Sequence, residues 1–274
     1  MPSWNIHLAH TEDVFARNGA LARALCDRNA FLFGGLVPDI RVGYMVPGVV
    51  GLIPYRITHF AKPEHIPKPR EHDFWTEHVE PLLSVAPAAP VAVRSIVDER
   101  ERINHAHFPE RYDNGGRPIF DASEAGASRQ LEVAPADLEA SRRDMALGAW
   151  AHLVADNIWN TRVHEYLAAH GGKPSESFRI KKQSDFDWFG RTRGLSLIPV
   201  ASSRLVEAAE RFSQYPIERD DVLAAVGVAH ETVRVNEGAG DHPPYQLLSD
   251  EFFNVTFAEV GDTLERLYTE RAVC

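Results

Sequence analysis

Cysteine is nearly absent from this chain: Cys26 and Cys274 are the only two among 274 residues. Two thiols so placed build neither a disulfide framework nor a cysteine zinc motif. Positive charge is also scarce, with 29 Lys and Arg against 39 Asp and Glu and a net charge of −10. Nucleic-acid scaffolds neutralise phosphates with a basic face, so no nucleic-acid scaffold role is expected. Long apolar runs are missing too. The longest, Gly43 to Pro54, has about 12 residues and is broken by Gly and Pro, short of the roughly 20 that span a bilayer. No transmembrane segment is therefore expected. Met1-Pro2-Ser3-Trp4-Asn5-Ile6-His7 lacks a basic stretch ahead of an apolar core, so no signal peptide is expected and a cytoplasmic location follows. Gly-Lys-Ser/Thr phosphate loops and Gly-x-Ser-x-Gly elbows are absent as well, which leaves Gly115-Gly116 and Gly171-Gly172 as turns.

What is present is ordinary globular composition, 44% hydrophobic and 25% charged, without repeats. The pattern predicts a mostly α protein with an irregular, proline-rich N-terminal third. Ser3 to about Asp27 reads as one helix with Val14, Leu21 and Leu25 on one face. Phe31 to Tyr55 reads as loop and short extended pieces, Glu71 to Ser84 as a short helix, and Val91 to Val97 as an extended run before a turn at 113–116. A long helix is predicted over Pro135–His170, closed by Gly171-Gly172. Three apolar stripes follow: Leu205/Ala208/Ala209/Phe212, Val222/Val226/Ala229/Val233 and Phe253/Phe257/Val260/Leu264/Leu267, the last capped by Ser249 or Asp250. The organisation is thus a metal-binding helical core over 1–172 with a loop insertion at about 87–130, and C-terminal helices over 173–274 packing on the same domain.

Thirteen histidines draw attention, and their settings sort them. His7 lies on the buried stripe of the first helix, where it is either a core histidine bonded to a carbonyl or a ligand. Asp39 closes the apolar run Phe31-Leu32-Phe33-Gly34-Gly35-Leu36-Val37-Pro38, as a turn or helix cap or as a metal ligand. His59 sits between Thr58 and Phe60, while His105 and His107 alternate in a charged stretch that reads as solvated loop. His152 and Asp156 are i and i+4 on a helix apolar nearly all round. They form either a hydrogen-bonded pair or two ligands of one divalent cation. The His72-Asp73 dipeptide follows Lys68, Pro69 and Arg70 and reads as a solvated helix start. Lys181, Lys182, Arg191 and Arg193 are either a solvated basic face or an anion-receiving rim. His7, Asp39, His59, His152 and Asp156 together exceed one closed tetrahedral site and suit a pair of metals with a shared carboxylate.

These pieces resemble the zinc-dependent phospholipase C domain family, related to single-strand-specific zinc nucleases. Trp4-Asn5-Ile6-His7-Leu8, Phe33-Gly34-Gly35-Leu36-Val37-Pro38-Asp39, Thr58-His59-Phe60 and the His152-to-Asp156 helix occur in that family's order across about residues 3 to 165. Lys181-Lys182-Gln183-Ser184-Asp185-Phe186-Asp187-Trp188 is similar to its non-secreted bacterial branch. The resemblance implies a phospholipase C/nuclease-like helical bundle. It also implies that His59, His152 and Asp39 hold one metal and that His7 and Asp156 hold its neighbour, with Asp156 bridging. Two departures stand out. Trp4 is internal, where secreted members use a processed Trp amino terminus as ligand. The histidine that serves their third metal is replaced by Arg162, with His164 and Glu165 close by but misplaced. Two metals are expected rather than three.

The expected activity is a metal-dependent hydrolase acting on a phosphodiester or phosphomonoester, with two divalent ions, zinc first and iron or manganese as alternatives. Asp39 is the expected catalytic base as well as a ligand, and Lys181, Lys182 and Arg191 are the expected substrate contacts. The partner is then a small-molecule substrate. Two other readings stand beside it: hydrolysis of an amide by the same metals, and a helical interaction module with a structural metal and a homo-oligomer surface.

Overall fold

The structure is a computed structural model that describes residues 3–62, 67–86, 136–170, 175–236 and 242–272, with isolated positions 89, 93, 94, 96, 106 and 109. Most of the 87–130 insertion, including 91, 92, 95 and 97 of the Val91–Val97 run, lies outside the described residues, as do the turn at 113–116, His105, His107, Gly171-Gly172 and Cys274. Within them the chain is mostly α, with no extended strand and an isolated bridge joining Ala61 and Pro69. No described helix is long and apolar enough to cross a membrane.

The first predicted helix is two. α1 spans Trp4–Arg17 and α2 Ala20–Ala24, parted where Asn18 adopts the left-handed conformation at φ 48°. Asn tolerates that region better than most residues. Glu265, from the last helix, then accepts a 2.7 Å hydrogen bond from Ala20 N and caps the new start. The apolar stripe runs on through the break, which is why periodicity alone reads one helix.

Phe31 to Tyr55 is also more helical than its glycines and prolines suggest. α3 (Arg28–Gly34) starts at Asp27, whose carboxylate accepts from Ala30 N at 2.9 Å. α4 is the single turn Val37–Ile40, with Pro38 in the first turn, where its missing N–H costs nothing. The segment 41–54 is irregular, and α5 (Tyr55–Thr58) follows it. Glu71 to Leu83 is one helical rod made of α6 (Glu71–Phe74), a π-helical turn (Trp75–Val79) and α7 (Glu80–Leu83).

The centre of the molecule is α8, Leu138–Ala169, a 32-residue helix about 48 Å long at 1.5 Å per residue. Asp137 caps it through Ala140 N. The later described helices are α9 (Glu176–Arg191), α10 (Ser203–Glu210), α11 (Arg219–Asn236) and α12 (Asp250–Ala272). α8 is buried along its middle by α1, α3, α4, the Glu71–Leu83 rod, α10 and α12, with Phe186 of α9 against Trp159. Of the two residues proposed to cap α12, Ser249 does so, its Oγ accepting from Phe252 N at 3.1 Å. One apolar cluster runs from Trp4 through Phe31, Trp150 and Trp159 to Val226, Phe253 and Leu264, so the C-terminal helices share the core of the first half.

The tightest crossing is α3 against α8. A Cβ on Gly148 would meet the Phe31 carbonyl oxygen at 2.1 Å, and one on Gly34 would meet the Met145 carbonyl oxygen at 2.2 Å. Both obstacles are backbone, which cannot swing aside. This crossing lays the Gly35 carbonyl over His152. Gly148→Ala is therefore expected to lower stability by about 1–3 kcal/mol or more, as overpacking does, read as a lower urea midpoint at unchanged slope.

Candidate metal centre

Five side chains from four stretches of sequence meet at one buried point. α1 supplies His7, α4 supplies Asp39, the residue closing α5 is His59, and α8 supplies His152 and Asp156. None is more than 4% exposed. Two trios, His7/His152/Asp156 and Asp39/His59/His152, each present donor atoms within 4.8 Å of one another.

The neighbouring hydrogen bonds fix which nitrogen each imidazole turns inward. His152 Nδ1 lies 2.8 Å from the Gly35 carbonyl, which only accepts, so Nδ1 carries the proton and Nε2 a lone pair. The Thr58 hydroxyl donates to the Tyr55 carbonyl at 3.2 Å. Its single proton is thereby used, so at 2.7 Å it accepts from His59 Nδ1, and His59 Nε2 is likewise a lone pair. These two acceptors face each other at 3.2 Å. Asp39 Oδ1 stands 3.4 Å from His59 Nε2, and Asp156 Oδ2 stands 3.7 and 3.9 Å from the His59 and His152 nitrogens. Two ligands of one tetrahedral zinc, each about 2.05 Å from it, are about 3.3 Å apart. Asp39, His59 and His152 bring three acceptors within 4.8 Å of one another, a donor set that a cation fits, with Asp156 Oδ2 beside the two nitrogens.

The second trio is poorer. His7 stacks on His152 with ring centroids 3.7 Å apart, and its Nε2 lies 3.5 Å from Asp156 Oδ1. Both atoms are buried without a hydrogen-bond partner. The single lone pair of His152 Nε2 can serve one ion only, whereas the two oxygens of Asp156 can serve two. His7 and Asp156 are thus the donors left for a second ion.

Outer contacts hold the cluster. The Trp4 indole N–H donates to Asp39 Oδ2 at 3.2 Å, and the Tyr55 hydroxyl donates to Asp156 Oδ2 at 3.0 Å while its ring stacks on His59 at 3.8 Å. Such partners orient ligands and tune their basicity. Burial, with His7 close by, pushes His152 down to about 3. Burial raises the carboxyls of Asp39 and Asp156, while hydrogen bonding and charge from the neighbouring imidazoles, when these carry protons, lower them and bring both below the usual carboxylate range. His10, one turn beyond His7, accepts from Trp159 Nε1 at 3.0 Å and stacks on Phe257, so it belongs to the wall of the site.

Of the three cations expected to receive substrate, Lys182 shares its stripe of α9 with buried Asp185, Phe186 and Phe189. Burial lowers its pKa while the Asp156 charge acts the other way. Lys181 is exposed. Arg191 lies over Trp188 at 4.9 Å, beside a groove of about 430 Å³ on the opposite face. Neither Lys181 nor Arg191 is brought to the cluster, because α9 turns them outward. Arg162 pairs with Glu259 at 2.5 and 2.7 Å, and His164 is exposed. Trp4 and Tyr55, not among the expected site residues, also touch the cluster. Tyr55 had a signal, since it lies i−4 from His59; Trp4 had only a polar atom on an otherwise apolar ring. No family model, curated protein or solved structure matches this chain.

The buried imidazole has a consequence for pH. His152 is neutral in the folded, metal-free protein down to about pH 3, whereas in the unfolded chain it protonates near about 6.5. Between those values the unfolded state binds more protons, so stability falls as pH falls. The depressed carboxylates add to this with the same sign below about pH 4. The urea midpoint of chelator-treated protein should drop steadily from pH 7 to pH 4, and His152→Gln should flatten the upper part of that slope.

Proposed function

We propose that this protein is a metal-dependent hydrolase holding two divalent ions, zinc first, and cleaving a phosphomonoester or phosphodiester. The observation that carries the reading is the convergence of four acceptor atoms, from Asp39, His59, His152 and Asp156, with no donor between them. His59, His152 and Asp39 would hold one ion, Asp156 would span both, and His7 would complete the second. Such a pair supplies a water of lowered pKa and neutralises charge on phosphate oxygens. The chain's own groups do the rest. Asp39 takes the proton that the attacking water loses, at a carboxylate already steadied by Trp4. Lys182 approaches from α9 and orients a phosphate oxygen by a charge-assisted hydrogen bond.

A structural ion is the second reading, favoured by the burial of all five donors. The two readings part under chelation. A structural ion takes the fold with it when removed. A catalytic pair leaves far-UV dichroism in place while hydrolysis stops and returns with metal. Metal analysis of protein purified without added metal, followed by a panel of chromogenic phosphomonoesters and phosphodiesters, tests the proposal. His152→Ala should stay folded, lose most of its bound metal and lose hydrolysis; unchanged metal content in that variant removes the assignment.

Lys182→Met is expected to lower kcat/KM about 10- to 100-fold with metal content unchanged, the usual weight of a hydrogen bond to a charged group. Lys181→Met, whose side chain faces solvent, should behave as wild type in the same assay.

A further inference from the structure

Tyr55 stands between the buried donors and solvent. It is half-buried, whereas the five donor residues are buried. Its hydroxyl holds Asp156 Oδ2 at 3.0 Å, and its ring lies on His59 at 3.8 Å and 26°. Its carbonyl accepts from the Thr58 hydroxyl, the same hydroxyl that orients His59. One residue thus touches the carboxylate common to both candidate ion positions and, through Thr58, an imidazole of the first.

A carboxylate at the end of Asp156 is free to turn about its last bond unless something holds it. To serve two ions it must present Oδ2 toward His59 and His152 and Oδ1 toward His7. Those are the directions seen, with Oδ1 3.5 Å from His7 Nε2. Within hydrogen-bonding distance of this carboxylate, the described protein atom that fixes its rotation is the Tyr55 hydroxyl. The two ion positions depend on that rotation unequally. Asp39, His59 and His152 remain in place around the first whatever Asp156 does. The second has only His7 and Asp156, so a turned carboxylate removes half of its protein ligands.

We propose that Tyr55 is a positioning residue that locks Asp156 in its bridging orientation and so sets the affinity of the second, His7-side ion. The proposal rests on the two-metal reading above. The phenol keeps its proton and donates it; no bond to it forms or breaks.

Zinc titration of chelator-stripped protein, followed calorimetrically, tests this, with far-UV dichroism and the thermal midpoint of the stripped protein recorded alongside. Wild type should take up zinc in two steps. Tyr55→Phe, which keeps the stacked ring, should bind the first ion within about threefold of wild type and the second about 10- to 100-fold more weakly, the usual scale for loss of an outer-shell partner. Its dichroism and stripped midpoint should be unchanged. In an Asp156→Asn background the same change should add nothing, because the hydroxyl acts through that carboxylate. A second step unaltered by Tyr55→Phe overturns the proposal. So does equal weakening of both steps, or loss of helical dichroism in the stripped variant, since either marks Tyr55 as packing alone. Wild-type protein that takes up no zinc, or takes it up in one step, overturns the two-metal reading itself, and the role of Tyr55 falls with it.

Discussion

The physical constraint on which this molecule turns is the meeting of four lone-pair-bearing atoms in a buried place. Two imidazole nitrogens 3.2 Å apart, both with their protons on the far side of the ring, repel each other. Two carboxylate oxygens add negative charge to the same volume. In water this would cost little; without water each unpaired polar atom costs free energy of the order of kcal/mol. A positive charge in the middle reverses the sign of every one of these interactions. Protonation is a poor substitute, since burial keeps His152 neutral down to about pH 3. The rest of the fold can be understood as the means of forcing these atoms together and keeping their directions.

That forcing begins with backbone. Gly34 and Gly148 let α3 and α8 cross at a distance where side chains do not fit, and the crossing places a peptide carbonyl against His152. A carbonyl is a better director than a side chain because it has no rotamer to lose. Thr58 does the same for His59 in a single turn of helix, using one hydroxyl to link a carbonyl and an imidazole. The far ends are held with equal care. Asp144 accepts from Cys26 N and Asp27 N, Asp27 pairs with Arg204, and Asp185 accepts from three successive backbone N–H groups at 246–248. Buried charge in this chain is spent at joints between helices.

Much of this could be read from residues alone, and the limits have physical causes. The long helix, the C-terminal stripes and the five candidate donors follow from periodicity and from polar atoms in apolar settings, both of which are local. Asp39 is ambiguous in one dimension because a Pro-Asp turn and a buried ligand look alike; in the structure it stands in the turn α4 and also 3.4 Å from His59 Nε2. The helices in 28–40 escape a pattern reading because glycine and proline there have the signature of breakers. Here Gly34 serves a close approach and Pro38 sits in a first turn. The break at Asn18 was hidden by an apolar stripe that continues across it and by a cap supplied from Glu265, 245 residues away. Lys181, Lys182 and Arg191 could not be separated until the helix phase showed that one of them shares a face with Asp185, Phe186 and Phe189.

The two halves of the cluster differ in kind. Four donors surround the first position, each with an outer partner: a carbonyl for His152, a hydroxyl for His59, an indole for Asp39 and a phenol for Asp156. The second has two, and its donor atoms are the ones left unpaired in the core. A site with many fixed protein ligands holds its ion tightly and offers few places for anything else. A site with two leaves coordination positions for water or substrate. The phosphoesterase activity proposed above would use both properties at once, one ion fixed in place and a neighbour that can exchange ligands. The asymmetry follows from His152 having one inward lone pair and Asp156 having two oxygens, so the division of labour is already set by which residue types stand one turn apart on α8.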